Sequence, residues 1–184
     1  MPRFQELRAD ELTERQIELA TELGATRGAG LSTGGPWGLL LRNEELCAKA
    51  ASFGTMLRDG TSLPTRLSEL AIITTARHWS AQFEWYAHAP KAMHAGLSEE
   101  VVEAIRLQQP PKFTATDEQA VYAFVTELHA RHRVSDANYQ AVVDAIGNTG
   151  AIELTAIVGF YTTVAMLIVT FDPPLPAGIT RPFS

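Results

Sequence analysis

Apolar residues recur every three or four positions through most of this chain, which is the spacing that places them on one face of an α-helix. Alternating apolar and polar residues, the mark of a half-buried strand, are scarce. Two clear helical series are Leu46, Ala50, Phe53 and Leu57, and Val121, Phe124, Val125 and Leu128. The pattern predicts an all-α fold of about eight helices, over residues 13–24, 43–58, 64–78, 80–95, 98–107, 116–131, 135–146 and 150–171.

Residues that start or end helices fall between these series. Thr13–Gln16 and Thr116–Gln119 have the spacing of capping boxes, in which a hydroxyl and an amide satisfy each other's free backbone N–H groups. Glycines at the ends of the apolar series predict C-terminal caps. These glycines are Gly24, Gly60, Gly96 and Gly147.

Three segments interrupt the helical pattern. Residues 24–38 contain six glycines but match neither a P-loop nor a dinucleotide fingerprint, and this predicts a mobile loop. Pro110-Pro111 indicates a linker, because proline cannot continue a helix. Pro173-Pro174 marks the start of a C-terminal arm, residues 173–184.

The composition is that of a small acidic protein. The chain has 184 residues, enough for one domain over 1–184, and its 15 Lys plus Arg against 21 Asp plus Glu give a formal charge of −6. A net acidic chain is a poor partner for a nucleic acid. A single cysteine, Cys47, excludes an internal disulfide, and the polar N-terminus lacks the apolar core of a secretory signal. We therefore expect a cytoplasmic protein.

An uncharged stretch from Leu154 to Phe171 reaches the length of a membrane-spanning helix. It contains four threonines and a glycine, and no flanking Lys or Arg sets an orientation. The stretch is therefore interpreted as a core or subunit-interface helix, and no membrane partner is expected.

Three ionisable side chains lie on otherwise apolar helix faces. Glu69 shares a face with Ile72 and Ile73, while Glu84 and His88 stand four residues apart on another face. An unpaired buried charge costs several kcal/mol. These groups must therefore pair, shift their pKa values or bind a ligand.

A reversal of the chain at Trp79-Ser80 would bring these groups together. In one straight helix Glu69 and His88 would lie roughly 28 Å apart at about 1.5 Å per residue. Glu69 is ten residues before Trp79 and His88 is nine residues after it. An antiparallel hairpin therefore places them at the same height on axes about 8–10 Å apart, with Ser80 as the N-cap of the second helix.

Aromatic residues around the hairpin are predicted to line a substrate pocket. A site with two carboxylates and an imidazole suits proton transfer, because histidine exchanges a proton near neutral pH. Two other interpretations stay open: a noncatalytic ligand-binding oligomer, and a metal-dependent enzyme that uses Glu69, Glu84 and His88. The Glu-x-x-His spacing of di-iron bundles is absent. The predicted lining residues are Trp37, Trp79, Phe83, Trp85 and Tyr86.

The run from Glu69 through Phe83-Glu84-Trp85 and His88 to Ala95-Gly96-Leu97 resembles the carboxymuconolactone decarboxylase family and its alkyl hydroperoxidase D-like relatives. The match is specific over about residues 60–105. The resemblance implies an alkyl hydroperoxidase D-like helical bundle that assembles into homotrimers or homohexamers and acts on a small molecule.

Peroxidase members of this superfamily carry a Glu, a Cys-x-x-Cys pair and a His four residues after the second Cys. Here Glu69 and His88 match, but Ala81 and Glu84 occupy the cysteine positions. Dithiol peroxidase activity is not expected, because the attacking species would be a thiolate.

The resemblance to the decarboxylase branch implies decarboxylation of a carboxylated lactone or a related product of aromatic breakdown, without metal or organic cofactor. It assigns His88 as general acid/base, Glu69 as its orienting partner, and Glu84 as a second proton carrier or substrate contact. Arg66 and Arg77, on the helix of Glu69, are candidates for binding a substrate carboxylate, although surface charge is the favoured interpretation of both.

Overall fold

The computed structural model describes Arg3, residues 7–25 and residues 33–183. Within these ranges the chain forms eight α-helices, a short 3₁₀-helix at Ala9–Glu11 and no strand, so the all-α prediction is confirmed. The helices are α1 (Glu14–Ala25), α2 (Gly35–Leu40), α3 (Glu44–Asp59), α4 (Thr65–Trp79), α5 (Gln82–His94), α6 (Glu99–Arg106), α7 (Thr116–Arg131) and α8 (Asp136–Phe171).

The set of helices differs from the prediction at two places. Helix α2 lies inside the glycine-rich segment, so the loop prediction is wrong for residues 35–38, while residues 26–32 lie outside the described residues. The two predicted C-terminal helices follow one another directly as α8, which is interrupted at Gly147 with φ 74° and ψ 172°. Glycine accepts a positive φ without a Cβ clash, so it changes the helix direction here without an intervening loop.

One predicted capping box is confirmed and the other is wrong. The Thr13 N–H donates to Gln16 Oε1 at 3.0 Å, and the Gln16 N–H donates to Thr13 Oγ1 at 3.1 Å. Thr116, by contrast, is the first residue of α7, and the N-cap is Ala115 without a side-chain bond. The first turn of α7 is held instead by an ion pair between Asp117 and Arg66 of α4, 2.8 Å long.

Helix α4 forms the centre of the fold. Every residue from Leu67 to Ala76 is buried, and the helix packs against α5, α7 and α8. Polar groups on α4 therefore lie away from water and need partners within the protein. Thr74 illustrates this, because its Oγ1 donates to the Leu70 carbonyl of the same helix at 2.7 Å.

The C-terminal arm folds back onto the hairpin of α4 and α5. Phe183 of the arm is buried, with its ring centroid 5.2 Å from that of Trp85 and 4.5 Å from the Arg77 guanidinium carbon. The Gln82 amide exchanges two hydrogen bonds of 3.0 Å with the Phe183 backbone. The arm thus covers the side of α5 that carries Gln82 and Trp85.

Helix α8 contains the uncharged stretch found in the sequence. Among the described residues it is the one helix long and apolar enough to cross a bilayer. Its inward residues, such as Leu154 and Ile157, join the main hydrophobic core with α4 and α7. Its outward side exposes Ile152, Met166 and Val169. The structure therefore supports the interpretation as a core helix, with one side left uncovered in the single chain.

Candidate active site

The chain reverses between α4 and α5, as the hairpin prediction requires. Ser80 adopts the left-handed conformation with φ 53° and ends α4. The Ser80 N–H donates to the Arg77 carbonyl at 3.1 Å and the Ala81 N–H donates to the Ala76 carbonyl at 2.8 Å, the two bonds of a Schellman motif. Ser80 is therefore a C-terminal residue of α4 and not the predicted N-cap of α5, which is Ala81.

The reversal brings Glu69 and His88 into direct contact. Glu69 Oε2 lies 2.8 Å from His88 Nδ1, and both side chains are buried, with 5% and 8% of their surface exposed. A carboxylate can only accept a hydrogen bond, so an ionised Glu69 fixes the proton of the imidazole on Nδ1. This leaves Nε2 of His88 as the atom available to a reactant.

Glu84 lies one turn before His88 on α5 and has a different environment. It is 2% exposed, and neither carboxyl oxygen has a hydrogen-bond partner. Burial raises the pKa of Glu84 well above its ordinary value. Burial thus favours the neutral, protonated form of this carboxyl group, and that form can donate a proton.

Glu84 and His88 both line a pocket of about 470 Å³, which lies within the usual size range of small-molecule sites. The walls come from α2, α3, α5 and α8. Three of the five predicted lining residues contribute to it: Trp37, Phe83 and Tyr86. Gly35 makes the close approach of α2 possible, because a Cβ at this position would lie 2.4 Å from the Phe83 ring.

The other two predicted lining residues do not reach this pocket. Trp85 is 4% exposed and packs in the core against Phe183 of the arm. Trp79 packs in an apolar cluster with Val164 and Ile168 of α8 but does not itself line the pocket. Trp85 follows Glu84 by one residue and so points about 100° further around α5, which turns it away from the pocket.

Arg66 and Arg77, the candidates for binding a substrate carboxylate, are both occupied by structural contacts. Arg66 forms ion pairs with Asp117 and Glu118 of α7. Arg77 Nε donates to the Arg106 carbonyl at 2.7 Å. Neither residue lines the pocket.

Among the described residues, Arg58, near the end of α3, is the arginine that lines the pocket, and no sequence pattern indicated it. Tyr161 of α8 was also missed. Its ring meets the His88 ring edge-on, with centroids 5.1 Å apart and planes at 82°. Burial raises the pKa of Tyr161 well above its ordinary value, Glu69 acts in the same direction, and Arg58 partly opposes the shift. Tyr161 is therefore a neutral phenol beside the imidazole.

Glu69, Glu84 and His88 do not converge on one point. Glu69 and His88 bond to each other, whereas the oxygens of Glu84 touch no polar group. Within residues 7–25 and 33–183, no three carboxylate, imidazole or thiol groups are arranged to hold a metal ion.

The remaining histidines with buried contacts lie at the other end of α4. The rings of His78 and His129 stack with centroids 4.6 Å apart, and His129 Nε2 lies 3.0 Å from Thr75 Oγ1. Burial, together with His78 and His132, lowers the pKa of His129 to about 4. These rings are neutral at pH 7 and line no part of the pocket.

The helical architecture is that of the AhpD-like proteins. A cysteine-to-alanine variant of the debrominase Bmp8, solved in complex with 2,3,4-tribromopyrrole, superposes with a TM-score of 0.75 and 14% identity, over 94% of this chain and 90% of that one. A peroxidase-related protein from a Silicibacter species gives a TM-score of 0.76 at 10% identity, over 94% and 92% of the two chains. An AhpD-core protein from Ralstonia eutropha gives 0.75 at 14% identity, over 93% and 90%.

The fold predicted from the resemblance is thus confirmed. No family model and no curated protein matches the sequence. At identities of 10–14% the likeness extends to the fold and carries no activity.

Proposed function

We propose that this protein is an acid–base enzyme of decarboxylase type, which removes carbon dioxide from a carboxylated lactone or a related unsaturated ring acid and returns a proton to carbon. His88 acts as the general acid, Glu69 orients it, and Glu84 contacts the substrate or carries a second proton. The observation that carries the proposal is the buried 2.8 Å contact between Glu69 and His88 at the wall of a pocket.

The proposed reaction requires few protein groups. The bond between the ring carbon and the carboxylate breaks, carbon dioxide leaves, and the electron pair moves through the conjugated system onto a carbonyl oxygen. Protonated His88 then gives its Nε2 proton to the carbon, and the carbonyl reforms. A positioned acid of this kind contributes about 10²- to 10⁴-fold to the rate.

Aromatic side chains in the walls of the pocket suit a flat substrate. Phe83 and Tyr86 of α5 and Phe160 of α8 line it, and their rings can pack against a planar ring. Bmp8, which shares the fold, binds a flat ring in 2,3,4-tribromopyrrole. The predicted homotrimer or homohexamer is retained in the proposal, supported by the apolar side chains that α3 and α8 expose, among them Phe53 and Met166.

The experiment is turnover in D₂O on a panel of carboxylated lactones and unsaturated ring acids. We expect at least one of them to release carbon dioxide and to gain one solvent deuterium at a carbon of the conjugated system that took up the electron pair. Glu69→Gln keeps the shape of the side chain and removes its charge, and it should lower the rate about tenfold or more, the effect of losing a charge-assisted hydrogen bond. Carbon dioxide release no faster than in buffer, across the panel, would overturn the proposal and favour a noncatalytic ligand-binding protein.

A further inference from the structure

We infer that Arg58 holds the oxygen on which negative charge collects during the reaction, and that the pocket therefore selects flat conjugated rings bearing an oxyanion. The role of Arg58 in the reaction rests on the proposed function. The preference of the pocket for an oxyanion is a binding property that can be measured without any reaction. Arg58 lies on α3, outside the hairpin that carries Glu69 and His88.

The guanidinium of Arg58 is held in place at the pocket wall. Nη2 donates to Thr55 Oγ1 at 3.1 Å, one turn earlier on α3. Residue 54 is a glycine, and a Cβ added to it would lie 3.6 Å from Arg58 Nη1 and 2.9 Å from the Phe160 ring. Because residue 54 is glycine, the ring and the guanidinium both fit against the α3 backbone at the edge of the pocket.

Arg58 has no carboxylate partner among the described residues. Arg66, Arg106 and Arg181 each pair with an Asp or Glu at 2.6–2.8 Å, whereas no such contact involves Arg58. Glu84 lines the same pocket but lies beyond ion-pair distance, and both of its oxygens lack a partner. Arg58 is half-buried at the pocket wall, so its guanidinium can meet the negative charge of a ligand.

This arrangement fits a developing enolate. When carbon dioxide leaves, the electron pair of the broken bond comes to rest on the carbonyl oxygen of the ring. A fixed cationic donor that meets this charge stabilises the transition state more than the neutral carbonyl of the substrate. Lys91 also lines the pocket but is exposed, and an ammonium group remains more strongly hydrated than a guanidinium. Arg58 is therefore the better placed of the two cations.

The test uses 4-nitrophenol, a ring that presents either a neutral hydroxyl or an oxyanion and reports its ionisation by its absorbance. We expect the wild-type protein to bind the phenolate in preference to the phenol, and Arg58→Gln to weaken phenolate binding roughly 10- to 100-fold. 4-Nitroanisole, the neutral methyl ether, should bind both proteins equally, which shows that the pocket of the variant is intact. Arg131→Gln is the matched control, because Arg131 is an exposed arginine of α7 that does not line the pocket.

Equal binding of the phenolate by the wild type and by Arg58→Gln would overturn the inference, and so would the absence of binding to the wild type. Unequal binding of 4-nitroanisole would also overturn it, since the variant would then have changed the shape of the pocket and not its charge. If the protein binds the phenolate selectively and yet releases no carbon dioxide in the turnover experiment, that result would reject the proposed function but would still support the oxyanion site at Arg58.

Discussion

Replacing His88 by Gln is expected to lower turnover by about 10²- to 10⁴-fold on any substrate that the panel identifies, because the variant loses the only group at that position able to give a proton to carbon. The melting temperature should stay close to that of the wild type. The glutamine amide can still donate to Glu69 Oε2, which lies 2.8 Å from His88 Nδ1 in the wild type. The measurement is kcat together with a thermal melt of the same sample.

His94→Gln is the control for this variant. His94 lies on the same helix but is exposed in its last turn and does not line the pocket. It should retain the turnover of the wild type. A His88→Gln protein that turns the substrate over at the wild-type rate would remove His88 from the mechanism.

Replacing Glu84 by Leu is expected to raise the stability of the protein and to lower its turnover. Both oxygens of Glu84 are buried without a partner, and an unsatisfied buried polar group costs about 1–3 kcal/mol. An apolar side chain removes this cost, and for a chain of this size each kcal/mol raises the melting temperature by roughly 2–4 °C. Turnover should fall about tenfold or more, because the substrate loses a hydrogen-bonding partner in the pocket. Thermal melts and kcat/KM measured on one preparation test both effects.

The stabilisation should grow with pH, and the sign follows from the pKa of Glu84. Burial raises this pKa in the folded protein above the ordinary value of 4.5. The folded state therefore keeps a proton that the unfolded state releases, and the wild-type protein loses stability as the pH rises above about 4.5 toward the folded pKa. The difference in free energy of unfolding between Glu84→Leu and wild type should be about 1–3 kcal/mol at pH 4, the cost of the unsatisfied neutral carboxyl, and larger at pH 7.

Glu99→Leu provides the control, because Glu99 is an exposed carboxylate in the first turn of α6. Its substitution should change the free energy of unfolding by no more than about 0.5 kcal/mol. If Glu84→Leu is instead less stable than the wild type at pH 7, then Glu84 has a stabilising partner and its assignment as a substrate contact is wrong.

The hairpin and the contact between its two helices could be predicted from the sequence. Few polar residues lie on apolar helix faces. Two of them can meet across a turn only when each lies at the same distance from the turn along its own helix. Glu69 and His88 lie ten residues before and nine residues after Trp79, and this symmetry alone places them side by side. Glu84 then follows from its four-residue spacing to His88.

The rest of the pocket could not be found in this way, because it depends on how helices distant in sequence pack together. Arg58 and Tyr161 reach the pocket from α3 and α8, and no spacing within those helices relates them to α5. Helix α2 was missed because glycine and proline have low helix propensity, whereas its position is set by the packing of Gly35 against Phe83. Trp85 was placed in the pocket wrongly, since helical periodicity does not say which side of α5 the C-terminal arm covers.

The central claim is that Glu69 orients His88 so that its Nε2 faces the pocket, and the tautomer of His88 tests it most directly. The measurement is the ¹⁵N NMR spectrum of protein labelled in the histidine rings, with the His88 signals identified by their absence in His88→Gln. We expect the neutral ring to carry its proton on Nδ1, donated to Glu69, and to leave Nε2 bare. A neutral ring with its proton on Nε2 and a bare Nδ1 would show that Glu69 is the donor, and would contradict the proposed roles of both residues.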